Sequence, residues 1–511
     1  MGRHGAFRGG VHPPQHKTQS LSASIQSVAM PRILTVPLHQ HIGTDAICLV
    51  KPGDHVLKGE KLARADGYVS APVHAPTSGT VIAVEERPVP HPSALYSLCV
   101  VIESDGKDTW TTLTPAEDYT ALNPSALRNL LREAGIVGLG GAGFPSYIKL
   151  NPGLDNPIDT LILNGAECEP YITCDDALMR ERAAEIIGGL RILRHALQAQ
   201  QCVIAIEDNK PAAIAAMEKA ATNVDFPIHV QVIKTIYPAG SEKQLIYTIT
   251  GKEVPSNGLP LHIGVVMQNV ATTAAVFRRI AYGEPLVSRV ITITGGAAVN
   301  AGNYRVPIGV AVSDLLGLKE GQQPALLLMG GPMMGISLPS MQVPVIKTTN
   351  CIIAAGQGEM PVSLSFRACI RCGACADVCP VSLLPQQMFW YARGRQFDRV
   401  QEYKLFDCIE CGCCAYVCPS RIPLVQYYRY AKTEIWAQER EKRKSDAARQ
   451  RFEARQERLE KEKRHREEKL KKRKQALLDK SPAADTNQSI AAAVARSKAK
   501  KTPSVDPDRH S

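Results

Sequence analysis

Two cysteine runs constrain this chain more than any other feature. The first reads Cys369-Ile-Arg-Cys372-Gly-Ala-Cys375-Ala-Asp-Val-Cys379-Pro380, the second Cys408-Ile-Glu-Cys411-Gly-Cys-Cys414-Ala-Tyr-Val-Cys418-Pro419. Both have the spacing C-x2-C-x2-C-x3-C-P, in which three thiolates of one run hold a [4Fe–4S] cube and the fourth ligates the cube of the other run. A cube is compact, so three ligands can follow one another along a wrapping loop. The fourth cysteine then starts a segment leading away, with the proline setting the turn. The spacing therefore assigns Cys369, Cys372, Cys375 and Cys418 to one cluster, and Cys408, Cys411, Cys414 and Cys379 to the other. The alternative metal is zinc, but structural zinc usually takes CxxC pairs separated by a longer insert. Cys413 is off the ligand register and reads as a non-ligand.

Length bounds the rest: 511 residues allow about three or four domains. Fifteen cysteines would suggest disulfides in a secreted chain, yet no apolar signal segment precedes them. Eight of them committed to clusters imply a reducing, cytoplasmic compartment, and no run of apolar residues is long enough to span a membrane. The net charge of +11 invites a nucleic-acid reading, but its position argues against one. From Trp436 onward there are 23 basic and 13 acidic residues, leaving the preceding chain nearly balanced. The basic character belongs to the tail, and no nucleic-acid partner is expected.

In chain order, residues 1–30 read as an irregular arm. Residues 31–120 hold short strands broken by turn signals such as Pro52-Gly-Asp and Asp66-Gly. The stretches Val50–Leu62 and Ala75–Val84 resemble the flattened barrel of biotinyl and lipoyl domains. The turn Ser70-Ala-Pro-Val-His-Ala-Pro has no lysine, so no swinging cofactor arm is expected. Residues 121–284 alternate helices and strands, as an α/β layer domain does. Ser125 is expected to cap a helix over 126–134, and one long helix is expected over 177–198. Further helices are expected over 211–221, 242–250 and 272–282, with strands at 161–163, 202–206, 228–233 and 265–267. Residues 285–345 are β-rich with glycine turns and resemble a soluble-ligand-binding β-grasp module, expected to act as a spacer. The cysteine runs occupy 360–430, joined by a helical linker over 384–403. The tail, 436–511, reads as a solvated charged helix to about residue 480, then as disorder beyond Ser481.

A second chemical centre is marked by two glycine-bearing stretches, Val137-Gly-Leu-Gly-Gly-Ala-Gly-Phe-Pro-Ser and Asn164-Gly-Ala-Glu-Cys-Glu-Pro. Without Cβ atoms such loops let the backbone approach a phosphate or flavin ring and offer it N–H groups. The spacing is not the Rossmann fingerprint. These stretches, with Tyr237-Pro-Ala-Gly-Ser-Glu242-Lys243 and Asn269-Val-Ala-Thr272, follow the order seen in the flavin- and NADH-binding subunit of respiratory complex I. The whole arrangement over about residues 5–430, including Phe7-Arg-Gly-Gly-Val-His-Pro-Pro, resembles the C subunits of the Rnf (Rsx) ion-translocating electron-transport complexes.

The resemblance implies a multidomain α/β-plus-β fold: a barrel-sandwich-like N-terminal domain, a complex-I-type FMN/NADH α/β domain, a β-grasp module, a two-[4Fe–4S] ferredoxin domain and the charged tail. It implies FMN beside the two [4Fe–4S] clusters, and NAD(H) as substrate. Gly138, Gly140, Gly141 and Gly143 would shape the FMN pocket with Phe144 beside it, and Lys149 would face phosphate. Asn164, Glu167, Glu242, Asn269 and Thr272 would contact flavin or dinucleotide. Ala166 and Ser241 depart from the complex I pattern, which has acids at those places. The implied activity is that of an ion-translocating oxidoreductase subunit passing electrons between NADH, FMN and the clusters. Its implied partners are the A, B, D, E and G subunits of the Rnf/Rsx membrane complex and a ferredoxin or similar carrier. The implied location is the cytoplasmic face of the inner membrane, as a peripheral protein. Two rivals are a soluble NADH-dependent flavin/iron–sulfur diaphorase subunit and an iron–sulfur wire with a degenerate flavin pocket.

Overall fold

The computed structural model describes residues 7–91, 93–116, 118–153, 155–222, 224–318, 323–360, 365–479 and 486–498. It divides into two compact units, Met1–Lys432 and Thr433–Ser511.

The first unit begins with small antiparallel sheets. One orders Ile33–Pro37, Tyr96–Ser104, Gly79–Pro88 and His55–Val56; the other orders Ile47–Cys48, Lys61–Arg64 and Val73–His74. Alternate side chains point inward, as the strand period demands, so Val36, Val56, Leu62, Val73, Val81, Val100 and Ile102 fill the interior. The turn expected to lack a swinging arm is itself packed away, with Ser70, Ala71 and His74 buried. This apolar interior continues without a break into Leu127, Leu131, Leu161 and Leu163 of the next region.

There the chain forms a four-stranded, all-parallel sheet in the order Ile228–Ile233, Gln201–Glu207, Thr160–Gly165, Val265–Asn269. Its two inner strands read as apolar runs, Thr160-Leu-Ile-Leu and Cys202-Val-Ile-Ala-Ile, because helices cover both faces. The helices Pro211–Ala221 and Glu242–Thr250 have the expected bounds. Three local expectations are corrected. Asn123, not Ser125, caps the first helix: its side chain accepts from Ala126 N, and Pro124 takes the first helical position. The helix expected over 177–198 is two helices, Cys174–Glu181 and Ala183–Leu197, because Arg182 leaves helical geometry at φ −128°, ψ 31° and its carbonyl starts the second helix. The helix expected from Thr272 starts at Val270, capped by the Asn269 side chain.

The glycine-turn region forms a six-stranded mixed sheet in the order Gln26–Ser27, Gly302–Pro307, Ser288–Thr294, Cys351–Ala355, Leu326–Met329, Ile336–Ser337. It exceeds the expected 285–345 at both ends. The strand Cys351–Ala355 lies inside the sheet, and the N-terminal arm, expected to be irregular, supplies an edge strand. The helical linker between the cysteine runs is two helices, Pro385–Arg393 and Phe397–Glu402, interrupted at Gly394-Arg395.

The second unit holds most of the Leu424–Leu478 helix and a further helix, Thr486–Lys498. The latter corrects the expectation of disorder beyond Ser481: Ser489-Ile-Ala-Ala-Ala-Val-Ala is rich in the best helix former. Residues 481–485 and 499–511 of that expectation, and residues 1–6 of the arm, lie outside the described residues.

Ala183–Leu197 crosses Val270–Tyr282 so closely that a Cβ on Gly189 would lie 2.0 Å from the Thr273 carbonyl oxygen. Helix propensity favours alanine over glycine by about 1 kcal/mol, but a backbone clash cannot be relieved by a rotamer change. Gly189→Ala should therefore destabilise the protein by about 1–3 kcal/mol, read as a lower Tm in a thermal scan.

Candidate functional site

The parallel sheet fixes where a ligand can sit. Thr160–Gly165 has one neighbour that follows it directly in sequence and another, Val265–Asn269, that follows much later. The crevice between the carboxyl ends of those two strands is the topological switch point. Asn164 and Asn269 end the two strands in register, and a cavity of about 510 Å³ opens there.

The glycine loop forms one side. It is closed by Gly138 N donating to Phe144 O at 2.8 Å and Gly143 N to Gly138 O at 3.1 Å. It is held from beneath by Leu139 N on Thr272 Oγ1 at 2.9 Å and by Arg289 Nη2 on Leu139 O at 2.9 Å. Gly140 and Gly141 line the cavity, and Gly141 sits at φ +106° with no atom within 4 Å of the place a Cβ would take. That is the open backbone a flavin or its phosphate needs. Gly138, Gly143, Phe144 and Thr272 do not line the cavity; they shape the loop that does.

Asn164, Glu167, Glu242 and Asn269 line the cavity, but each also serves the scaffold. Asn164 Nδ2 donates to Gly240 O at 2.8 Å. The Glu167 carboxylate accepts from Asp175 N at 2.7 Å and Asp176 N at 3.2 Å, at the start of the Cys174–Glu181 helix. Asn269 Nδ2 donates to Asp175 Oδ2 at 2.6 Å. Burial, and then the nearby Glu167 charge, push the Asp175 carboxyl up to about 7. Lys149 is outside the cavity lining, and its Nζ pairs with Glu242 Oε1 at 2.6 Å. Ala166 is fully buried and its carbonyl accepts from Lys210 Nζ, which also pairs with the buried Glu207. Ser241 lines the cavity.

Three contributors carry no local sequence signal. The six-stranded sheet supplies a wall through Gly330, Gly331 and Thr348–Asn350, so the module expected to be a spacer borders the site. Glu169 lines the cavity, with its carboxylate accepting from Met333 N at 3.1 Å and Met334 N at 2.8 Å. The third is the arm. Its buried Lys17 donates to the carbonyls of Glu167, Glu169 and Ile172 at 2.8, 2.9 and 2.6 Å. Gln15 O accepts from Tyr171 N, His16 stacks on Tyr171 at 4.7 Å, and Ser20 Oγ meets Thr173 Oγ1 at 2.7 Å. Glu167 and Tyr171 both have positive φ, so the arm clamps a loop that does not hold an ordinary strand or helix.

The cysteines gather in two places. Cys369, Cys372, Cys375 and Cys418 ring one small cavity; Cys379, Cys408, Cys411 and Cys414 ring another, which Cys413 also borders. Backbone N–H groups point at sulfurs, Arg371 N at Cys369 Sγ (3.4 Å) and Leu383 N at Cys379 Sγ (3.3 Å). Burial pushes the Cys408 thiol up to about 11 and raises Cys375, Cys379 and Cys414 as well. Such thiols ionise readily only when a metal supplies the compensating charge. Soft donors, N–H groups aimed at sulfur and an enclosed space fit iron–sulfur cubes. Cys411 and Ile409 also line the large cavity, and Tyr237 Oη donates to Cys411 O at 2.6 Å. The second run therefore borders the switch-point crevice.

A crevice suited to flavin beside two four-cysteine rings defines the class: a flavin and iron–sulfur electron-transfer protein. Family models agree, matching the Nuo51 FMN-binding domain at 131–278, the RnfC barrel sandwich hybrid domain at 5–107 and a 4Fe-4S dicluster domain at 368–422. The chain is 49% identical over 459 residues to the C subunit of the ion-translocating oxidoreductase complex of Yersinia pestis bv. Antiqua (strain Antiqua), covering 89% of this chain and 74% of that protein. The corresponding protein of Erwinia tasmaniensis is 48% identical over 507 residues, 99% of this chain and 62% of that protein. That of Vibrio cholerae serotype O1 (strain ATCC 39541) is 47% identical over 498 residues, 97% and 64%. The chain thus spans about three fifths to three quarters of the length of these relatives. Among solved structures, an NAD+-reducing [NiFe]-hydrogenase in the H2-reduced state aligns at TM-score 0.46 and 20% identity, over 61% of this chain and 63% of that one. The chain belongs to the family of C subunits of ion-translocating oxidoreductase complexes. No helix among the described residues is long and apolar enough to cross a membrane.

Two outcomes follow from the clamp and the buried acid. Lys17→Met leaves three carbonyls without their donor, so it should cost about 2 kcal/mol and lower FMN retention on gel filtration, with Lys17→Arg less affected. Burial pushes the Glu169 carboxyl up to about 7 from an ordinary 4.5. Between those values the folded state holds a proton that the unfolded state has lost, so this stabilising contribution fades as pH rises. The Tm of the wild type relative to Glu169→Gln should therefore fall as pH goes from about 4.5 to about 7.

Proposed function

We propose that this chain is the NADH- and FMN-handling subunit of a membrane complex that couples electron transfer to ion translocation. The observation that carries this is the sharing of one cavity by the glycine loop, the Asn164–Glu169 loop and Cys411 of the second run. Bound FMN would supply the conversion between a hydride pair and single electrons, and a [4Fe–4S] cube accepts one electron at a time.

The residues of the chain have separable parts in this reading. Gly140 and Gly141 present bare backbone to the flavin. Glu167 and Asn269, fixed by helix N–H groups and by Asp175, hold the crevice in shape before the ligand arrives. This preorganisation lowers the ordering cost of binding. Glu242 is free for a nucleotide only when Lys149 releases it, so the pair is a candidate gate for dinucleotide binding. The cluster ligands are Cys369, Cys372, Cys375 and Cys418 for the far site, and Cys379, Cys408, Cys411 and Cys414 for the site bordering the cavity. Relatives named as members of such a complex supply the remaining terms. The A, B, D, E and G subunits are its partners, a ferredoxin or similar carrier is its redox counterpart, and it sits peripherally on the cytoplasmic side of the inner membrane.

The test is anaerobic reconstitution with FMN, iron and sulfide, followed by NADH. Bleaching of flavin and cluster absorption is expected; a flavin-free chain whose clusters stay oxidised would sink the proposal. Cys418→Ser should remove the far cluster and leave the near one reducible by NADH, seen as one remaining cluster signal in electron paramagnetic resonance. Loss of the near cluster alone would refute the cross-ligation.

A further inference from the structure

The two cysteine runs are the same loop in two different settings. Arg371 and Glu410 occupy the same place in the repeat and share a left-handed φ of +57°. Gly373 and Gly412 match in the same way, at φ +83° and +81°. Their surroundings are opposite. In the second run a Cβ on Gly412 would lie 2.8 Å from the Met333 carbonyl oxygen, Ile409 lines the flavin crevice, and Tyr237 bonds to Cys411 O. That face is the one pressed against the next redox site. In the first run nothing described lies within 4 Å of the corresponding position on Gly373, Ile370 is 67% exposed, and Cys372 is exposed.

Charge distinguishes the two faces as well. Glu410 is neutralised by Arg429 at 2.8 Å and Lys432 at 2.7 Å. Arg371 has no acidic partner among the described residues. The same holds for the exposed Arg367 and Arg421, which flank Ser420 on the rim of the same ring of cysteines, Arg367 N donating to Ser420 O at 2.9 Å. An exposed isoleucine ringed by unpaired arginines is the composition of an interface centre rather than of ordinary solvated surface.

We propose that the Ile370–Gly373 face is the docking surface for an acidic protein that carries an iron–sulfur cluster close beneath its own surface. It uses the face of the loop that its twin uses against the flavin crevice. The proposal rests on the reading of the runs as cluster ligands. The apolar tip seats the partner, and Arg367, Arg371 and Arg421 select its charge.

The experiment uses the full chain reconstituted with its clusters, its iron content measured first, and a small acidic ferredoxin of the two-[4Fe–4S] type as probe, titrated calorimetrically. Saturable binding that weakens with ionic strength is expected. Arg371→Glu, a residue the twin loop accepts at the same φ, should raise Kd about tenfold with iron content and circular dichroism unchanged. Ile370→Asp should do the same. Equal binding by wild type and both variants would overturn the proposal, as would equal binding of a basic c-type cytochrome. A concentration-dependent dimer in sedimentation, dissociated by Arg371→Glu, would overturn it in favour of a second copy of this chain. A chain that takes up no iron would overturn the cluster reading and this proposal with it. Normal docking with no reduction by NADH would sink the proposed function and leave the surface standing.

Discussion

The seating of the second cysteine run against the α/β domain is the contact on which the rest depends. Tyr237 is fully buried, donates its hydroxyl to the Cys411 carbonyl, and carries on its own carbonyl the bridge to Val11 of the arm. Gly412 passes beneath the Met333 carbonyl with no room for a side chain. One-electron transfer weakens steeply with distance, so a loop that only hovered near the crevice would be of little use. A buried hydroxyl that would be costly to leave unpaired holds it in register instead. The arm completes the lock, since Gly10 N donates to Val378 O, next to Cys379. The residue that crosses from the first run to the second ring is thus tied to the same strap as the flavin loop.

Buried lysines do similar work elsewhere. Lys17 binds three carbonyls of the acidic loop. Lys210 joins Glu207 to the Ala166 carbonyl. Lys347 Nζ reaches Pro72 O of the barrel and Gly135 O of the α/β domain, both at 2.7 Å, from the strand side of the six-stranded sheet. Burying an ammonium is expensive, and desolvation pushes Lys347 down to about 7. Backbone carbonyls that would otherwise be orphaned at a domain junction gain a partner in return. An apolar side chain of equal volume would pack as well but would leave those carbonyls unsatisfied. The crevice is therefore assembled from three domains by point contacts, each of which has few alternative geometries.

This division of labour explains what can be read from the sequence. The parallel strands and the helices Pro211–Ala221 and Glu242–Thr250 announce themselves through local pattern, and the cysteine spacing and glycine loops through local chemistry. Asn164, Glu167, Glu242 and Asn269 fall at the crevice because each ends a strand or opens a helix there. The family resemblance implies a phosphate-facing Lys149, yet its ammonium goes to Glu242, a choice set by a residue 93 positions away. Lys17, Glu169 and the Thr348–Asn350 wall are illegible for the same reason, since their partners are distant in sequence and no periodicity marks them. The break at Arg182 and the cap at Asn123 show a milder version. Local propensity permits several boundaries, and packing of the helices against different neighbours selects one.

The twin loops carry this argument furthest. Their spacing is identical because the cube imposes it, so spacing alone distinguishes nothing between them. What differs is the variable residue of each C-I-x-C segment, and that difference follows from what each loop faces. Glu410 lies against Arg429 and Lys432 of the helix that closes the domain, where a carboxylate is stabilised by two charge-assisted hydrogen bonds. Arg371 lies where no described group answers it. A long, flexible cation kept in a left-handed backbone position, beside an exposed isoleucine, gains nothing for folding that a smaller polar residue would not provide. Its presence is better accounted for by a surface outside this chain, just as Glu410 is accounted for by one within it.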